Sequence, residues 1–319
     1  MISRIYFKNN WKYLKNNKEI TDLNTLIRIK RLTIPPMWSD VQISLDETSY
    51  LQVKGLDKNG KLQYIYHPLF ISLTDHEKYE RLKHFCKKIH FLFDSIQKIT
   101  KNHKNNENRF SDKFYIISIM FLLLSKTHIR IGNHRYSINT YGLTTLENRH
   151  ISINGSHITL DFIGKKSIRN LVQISDPFLS KELTILKQNL RQYSNEVLSD
   201  TSRFAKLFFP ITSEDMNNFL AVSLGSREFS CKDFRTYAAN ILFISKLIDL
   251  TNDPTNDPTN DPKIIEANIK KVFKEVSEKL GHSAAISKGS YVVPYIIDKY
   301  RENPSYFKGD PVSLLISLL

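Results

Sequence analysis

Over the first 75 positions apolar and polar residues trade places along several short stretches. Val41-Gln-Ile-Ser-Leu45 and Tyr50-Leu-Gln-Val53 follow a period of two, the spacing of a half-buried strand. Lys61-Leu-Gln-Tyr-Ile-Tyr66 repeats the pattern, and Asp57-Lys-Asn-Gly60 ahead of it is a turn signal, so a hairpin is predicted. Pro35-Pro36 punctuates the entry to this region. Near Thr74-Asp75 the period changes. Tyr79, Leu82, Phe85, Ile89, Leu92 and Phe93 recur at helical spacing, which predicts a helix over Glu77–Gln97. The polar, Lys- and Asn-rich run Lys98–Asn108 reads as a loop, and Ser111-Asp112 can cap a helix running through Phe121 toward His128.

A second β unit follows. His150-Ile-Ser-Ile153 and Ile158-Thr-Leu-Asp-Phe-Ile163 flank Asn154-Gly155, a pair that favours a type I′ hairpin turn. Ile168–Ile174 supplies a third strand and leaves Gly164-Lys165-Lys166 at a tight turn. After Asp176-Pro177 the pattern is helical to the end, with helices at about 179–196, 213–222, 231–248, 263–280 and 292–301. Thr251-Asn-Asp-Pro occurs three times in succession, ending at Pro262. Three prolines and no apolar residue cannot join a core, so 251–262 is expected to be an exposed loop that bulges outward. The pattern predicts an α+β fold: a small antiparallel β domain over 1–75 and a mostly α-helical domain over 76–319 that carries a three-stranded sheet.

Composition narrows the class. The 319 residues are 41% hydrophobic, enough for a full core, and global disorder is ruled out. Lys and Arg exceed Asp and Glu by 46 to 32, a net charge of +14, which points to a polyanionic partner such as nucleic acid. The two cysteines, Cys86 and Cys231, fit neither a zinc spacing nor a disulfide framework, and a reducing, intracellular compartment is expected. The longest apolar runs, Tyr115–Leu124 and Val312–Leu319, are too short to span a bilayer, and the N-terminus lacks a signal-peptide pattern. A soluble protein without a membrane partner is expected.

Candidate chemistry rests on a few residues whose individual signals are weak. Arg130 sits where the apolar helix ends, Lys165 at the hairpin turn, Arg235 near a helix start, His282 after a helix-capping glycine and Tyr291 in Ser287-Lys-Gly-Ser-Tyr291. A cation near a helix start is unusual and suggests a bound anion. Arginine suits phosphate because its fork matches the oxygens and stays charged. The chain has no acidic cluster of a two-metal nuclease and no Gly-rich nucleotide loop. Abundant cations and an available tyrosine point toward covalent catalysis through a phosphotyrosine, with no cofactor, no metal and no small-molecule substrate.

In order and context these motifs resemble the type IB DNA topoisomerases, in the short form of poxviruses, giant viruses and some bacteria. The resemblance covers nearly the whole chain. It rests on Ile34-Pro-Pro-Met-Trp-Ser-Asp-Val41 and Gly60-Lys-Leu-Gln-Tyr-Ile-Tyr-His-Pro68, then Arg130-Ile-Gly-Asn133, Tyr141-Gly-Leu-Thr-Thr-Leu146, Phe162-Ile-Gly-Lys165, Lys232-Asp-Phe-Arg-Thr-Tyr237 and Leu280–Tyr291. It implies the catalytic domain shared with tyrosine recombinases, behind a β domain that clamps duplex DNA. It also implies that Tyr291 attacks the phosphodiester to form a 3′-phosphotyrosine, so that strands swivel and religate without ATP or metal. Arg130, Arg235 and His282 would contact the nonbridging oxygens, and Lys165 would protonate the leaving 5′ oxygen. Gln63, Tyr64, Tyr66 and Tyr136 match residues that touch DNA, and Tyr64 and Tyr66 would share one strand face. Relatives act as monomers, so a monomer is expected, in virion or host-cell cytoplasm for a viral source and in cytoplasm for a bacterial one.

Departures from the family are Lys166, where some relatives carry an acidic residue, Asn133, where some carry a basic one, and the Thr-Asn-Asp-Pro repeat. His282 follows the viral and eukaryotic pattern, whereas many bacterial relatives have Asn. A site-specific tyrosine recombinase is the nearest rival. Recombinases usually place a histidine three residues before the second arginine, where Lys232 stands here, and usually have a helical N-terminal domain. A non-catalytic basic DNA-binding protein explains the charge but leaves the five-residue constellation as coincidence.

Overall fold

The computed structural model describes residues 1–133, 139–195, 205–253 and 261–319, which divide into two units, Met1–Lys78 and Tyr79–Leu319. In the first, strands β1 (Ile2–Phe7), β2 (Asn10–Lys15), β3 (Lys18–Glu19), β4 (Ser39–Ile43), β5 (Leu51–Leu56) and β6 (Leu62–Tyr66) form one sheet in the order β3-β2-β1-β4-β5-β6, each pair antiparallel. The predicted hairpin joins β5 and β6, with Leu56 opposite Leu62. Its loop is tied by Asp57, whose Oδ1 accepts from the backbone N–H groups of Asn59 (2.9 Å) and Lys61 (3.0 Å). Ile2, Val41, Ile43 and Val53 form the buried face of the sheet. Arg4 donates to the carbonyls of Ile34 (3.3 Å), Pro35 (3.0 Å) and Trp38 (2.7 Å), fastening the Pro35-Pro36 segment to β1.

Two features of this unit differ from the strand-and-turn reading. Helix α1 (Leu23–Arg31) closes the core with Ile29. It is capped by Asp22, which accepts from Thr25 N–H at 2.8 Å, and carries Arg28, Lys30 and Arg31 in its last turn, where cations suit the helix dipole. Helix α2 (Pro68–Asn102) starts nine residues before the predicted Glu77 and runs across the boundary between the units. Leu69, Ile71 and Leu73 in its first turns are exposed, so their apolar character carries no core-facing period there.

The second unit is built around α3 (Lys113–Thr127). Asp112 caps it, accepting from Phe114 N–H at 2.7 Å, and ten of its fifteen residues are buried. The later turns of α2, the sheet β7 (Ile151–Asn154), β8 (His157–Gly164), β9 (Ile168–Ser175), and helices α4 (Pro177–Asn195) and α5 (Ser213–Leu224) enclose it. Asn154 pairs with His157, so the β7–β8 turn is Gly155-Ser156, with only Gly155 at positive φ. That is the type II′ pattern, one residue later than the Asn-Gly turn the sequence suggests. A second core, including Phe243, Leu247, Val272, Val276, Ile296 and Leu315, is shared by α6 (Cys231–Thr251), α7 (Pro262–Leu280), α9 (Pro294–Glu302) and α10 (Pro311–Leu318).

The Thr-Asn-Asp-Pro repeat is partly absorbed by these helices. Thr251 is the last residue of α6, Asp261 caps α7 by accepting from Lys263 N–H at 2.8 Å, and Pro262 is the first residue of α7. Residues 254–260, and with them most of the predicted bulge, lie outside the described residues. Cys86 and Cys231 are free and buried, and burial pushes each thiol up to about 12. Among the described residues no helix is long and apolar enough to cross a membrane.

Candidate active site

Arg130 is set by an interlock between two of the sequence motifs. Leu143 N–H donates to Arg130 O (2.8 Å) and Thr144 N–H to Ile131 O (2.8 Å). Thr144 Oγ1 adds a bond to Ile131 O at 3.0 Å, and Thr145 Oγ1 closes on Gly142, donating to its carbonyl (3.0 Å) and accepting from its N–H (2.8 Å). The approach needs Gly142: a Cβ there would lie 2.6 Å from Gly132 N and 2.7 Å from Arg130 O. Tyr-Gly-Leu-Thr-Thr-Leu is thus the backing that holds the arginine segment as it leaves α3.

Arg235 lies in the second turn of α6 and is buried. The helix start is fixed by Asp233, which accepts from Ser230 N–H and Ser230 Oγ, both at 2.9 Å, and from Arg81 Nε of α2 at 3.0 Å. One guanidinium nitrogen of Arg235 donates to His128 O (2.7 Å), at the left-handed C-cap of α3, and another to Leu280 O at the end of α7. Two helix ends therefore aim this side chain, using carbonyls that have no partner within their own helices.

His282 follows Gly281, the left-handed C-cap of α7. Its Nδ1 lies 3.2 Å from Ser283 O and 3.4 Å from Ser287 Oγ. Between His282 and the next helix come the single turn α8 (Ala284–Ile286) and a π-helical turn, Ser287–Tyr291, which delivers Tyr291 inward. The phenol ring stacks on His282, centroids 5.0 Å apart and planes within 6°. Arg130 donates to its hydroxyl at 3.5 Å, and the Arg235 guanidinium carbon lies 5.6 Å from the ring centroid. Fully buried Asn240 on α6 holds the backbone on both sides, donating to Tyr291 O (2.9 Å) and accepting from Val293 N–H (2.9 Å).

The electrostatics follow from this crowding. Burial pushes the Tyr291 phenol up, but Arg130 and Arg235 outweigh it and the net direction is down. Burial, with repulsion from Arg130, lowers Arg235 to about 10. Burial and then Arg235 lower His282 to about 4, so its imidazole is neutral at pH 7. Arg235 Nε and His282 Nε2 are buried and lack a hydrogen-bond partner. Unused polar nitrogens in a cationic pocket around a hydroxyl suit a tetrahedral anion.

Four of the five predicted residues, Tyr291, Arg130, Arg235 and His282, are thus brought together. Lys165 is on the loop 165–167 between β8 and β9, exposed, and its side chain makes no hydrogen bond or ion pair among the described residues. In the first unit, Tyr64 and Tyr66 do share a face of β6, with ring centroids 6.0 Å apart, and Gln63 donates to Asp57 Oδ2 at 2.9 Å. Tyr136 lies outside the described residues. Asn240, Asp233, Arg81 and Ser287 escaped the sequence reading. Among them only Ser230-x-x-Asp233, a helix-capping pattern, carries a local signal. No group of three or more His, Cys, Asp or Glu able to hold a metal ion occurs among the described residues.

Comparison with known proteins supplies the context for this arrangement. The family model described as eukaryotic DNA topoisomerase I, catalytic core, matches residues 68–310, and that of the bacterial DNA topoisomerase IB N-terminal domain matches residues 10–57. DNA topoisomerase 1B of Acanthamoeba polyphaga mimivirus is 32% identical over 314 residues, covering 96% of this chain and 90% of that protein. DNA topoisomerase 1B of Vaccinia virus (strain Copenhagen) is 25% identical over 310 residues, with 93% and 90% covered. DNA topoisomerase 1 of Rabbit fibroma virus (strain Kasza) is 28% identical over 281 residues, with 85% and 80% covered.

Proposed function

This chain belongs to the type IB DNA topoisomerases, and from that premise we propose that it relaxes supercoiled duplex DNA through a covalent bond to Tyr291. The Tyr291 hydroxyl attacks a backbone phosphorus. The O–P bond to tyrosine forms, the P–O5′ bond breaks, and the phenolic proton leaves to solvent. Arg130, Arg235 and His282 surround the nonbridging oxygens, where negative charge concentrates in the transition state. Lys165 gives a proton to the departing 5′ oxygen. The free 5′-hydroxyl strand then rotates and attacks the phosphotyrosine, reversing each step. The phosphotyrosine conserves the energy of the broken bond, so the cycle draws on neither ATP nor a metal ion.

The observation that carries this reading is the Tyr291 hydroxyl beside Arg130, with unpartnered nitrogens of Arg235 and His282 buried in the same pocket. His282 contributes a hydrogen bond through Nε2–H when Ser287 Oγ donates to Nδ1, or as imidazolium once a phosphate offsets the arginine charge. Tyr64 and Tyr66, with Gln63 beside them, are the proposed DNA contacts of the first unit, and the chain works as a monomer. The net charge of +14 supplies the phosphate attraction and makes binding fall steeply with salt.

The test is relaxation of supercoiled plasmid in EDTA without ATP, comparing the wild type with Tyr291→Phe, which keeps the ring stacked on His282. Relaxation by the wild type alone is expected. Equal relaxation by both would remove Tyr291 from the chemistry.

A further inference from the structure

Strand β9 turns Asn170, Val172 and Ile174 toward one face. Val172 and Ile174 pack on the core around α3, but at the end nearest Lys165 the series finishes in an amide. The amide is fixed by its own strand, since Asn170 Nδ2 donates to Ile168 O at 2.9 Å. It lies between two glycines from different parts of the chain. A Cβ on Gly164 would run into Asn170 Nδ2, and a Cβ on Gly281 would run into Asn170 Oδ1.

These two glycines immediately precede Lys165 and His282. Gly164 is the last residue of β8 and pairs with Ile168, so the loop bearing Lys165 is only three residues long. Lys166 and Ser167 complete it at φ 64° and 57°. Gly281 ends α7, and His282 N–H bonds back to Ser277 O at 3.0 Å. The Lys165 side chain has no hydrogen bond of its own, so its direction depends on the backbone that presents it. The geometry points to Asn170 as a positioning residue that seats the Lys165 loop against the turn carrying His282. This rests on the assignment of Lys165 as the proton donor above.

Leaving-group chemistry tests it. The cleavage site is first mapped by trapping the covalent complex with denaturant. Duplexes are then made with oxygen or sulfur bridging the 5′ carbon and the scissile phosphorus. Sulfur departs as a thiolate and needs no proton. In single-turnover cleavage Lys165→Ala is expected to be slower on the oxygen substrate by roughly 10²- to 10⁴-fold, the usual worth of a general acid, and to recover on sulfur. Asn170→Ala is expected to lose about ten- to a hundred-fold on oxygen, from a displacement of up to about 1 Å, and to match the wild type on sulfur. Gly164→Ala, at an ordinary φ of −94°, displaces the amide by contact alone. It should behave as Asn170→Ala does, with the double variant no worse than either single one. Thermal unfolding of each variant checks that it folds.

Equal slowing of Asn170→Ala on both substrates, no slowing at all, or additive losses in the double variant would each overturn the inference. If Lys165→Ala recovers on sulfur and Asn170→Ala does not, the acid stands and the positioning role falls. If Lys165→Ala fails to recover, the acid assignment falls and takes this role with it.

Discussion

Replacing Asn240 with leucine keeps the branched shape of a fully buried side chain, adds methyl bulk and deletes its polar contacts. Asn240 Nδ2 donates to Thr236 O at 2.8 Å and Tyr291 O at 2.9 Å, and Oδ1 accepts from Val293 N–H at 2.9 Å. Thr236 O belongs to α6 itself, so the groups left stranded are Tyr291 O and Val293 N–H. Each buried, unpaired backbone group costs roughly 1–3 kcal/mol, hence about 2–6 kcal/mol in a rigid fold. The segment between the π-turn and α9 can relieve part of this by moving toward water. We therefore expect a stability loss of about 2–4 kcal/mol. The relief is itself the damage: a shift of about 1 Å in a nucleophile costs on the order of 10²-fold in rate. Urea unfolding should be followed by far-UV circular dichroism, because both tryptophans, Trp11 and Trp38, lie in the first unit. Cleavage is read as covalent protein–DNA adduct in a single turnover. Asn240→Asp, which keeps the acceptor for Val293 but sets a second oxygen against Tyr291 O and Thr236 O in a fully buried site, should be at least as damaging as Asn240→Leu at neutral pH. An Asn240→Leu protein that is destabilised yet cleaves at the wild-type rate when folded would refute the positioning argument, and one with unchanged stability would refute the energetics.

Gly142→Ala should lower both stability, by roughly 1–3 kcal/mol, and cleavage, since its Cβ would press on the Arg130–Gly132 backbone. Urea midpoints and adduct formation read the two effects separately. His128 and His282 are both held at about 4, against 6.5 for an ordinary histidine, chiefly by burial. The unfolded chain thus binds more protons between these values. Stability is full above about pH 6.5 and is lost as pH falls through about 4, by up to about 3 kcal/mol for each histidine. His128→Asn, which tolerates the left-handed backbone, should flatten the urea midpoint against pH. Ser287→Ala removes the hydroxyl next to His282 Nδ1 and should slow adduct formation with little change in DNA affinity measured by gel shift.

Much of the fold is legible because period and burial agree. The alternation in β4, the helical stripe of α2 beyond Tyr79 and the all-round apolar α3 each match the face that is buried, whereas in β5 the polar Gln52 is buried beside Val53 and in β6 Leu62 and Tyr64 are exposed while Ile65 packs on the core. Where apolar residues remain exposed the period misleads, as at Leu69, Ile71 and Leu73, and the start of α2 is read nine residues late. Helix α1 carries a legible signal, Leu23, Leu26 and Ile27 at helical spacing behind the Asp22 cap, but it is short and lies among strands, so a strand-and-turn reading of 1–75 passes over it. The residues proposed to react are legible as motifs, yet the amides that hold their surroundings are not. Asn240 and Asn170 are ordinary polar letters in sequence. Their meaning comes from backbone groups 51 and 53 positions away in one case, and from glycines in two separate elements in the other.

The fold itself holds the cationic pocket, at an electrostatic cost. Arg235 is buried and repelled by Arg130, which is why its acidity rises, yet it cannot turn toward water while His128 O and Leu280 O hold it. A flexible cation would have to be ordered at the moment of reaction, whereas this one loses no rotamer freedom when the phosphate enters. The bound phosphodiester relieves the repulsion and should raise the His282 pKa from about 4. DNA binding must then take up protons in the window above pH 4, and affinity should strengthen as the pH falls toward it. Gel-shift affinity of Tyr291→Phe on duplex DNA, measured from neutral pH down to pH 5, checks this. A flat profile would mean that His282 stays neutral and serves the phosphate only as a hydrogen-bond donor.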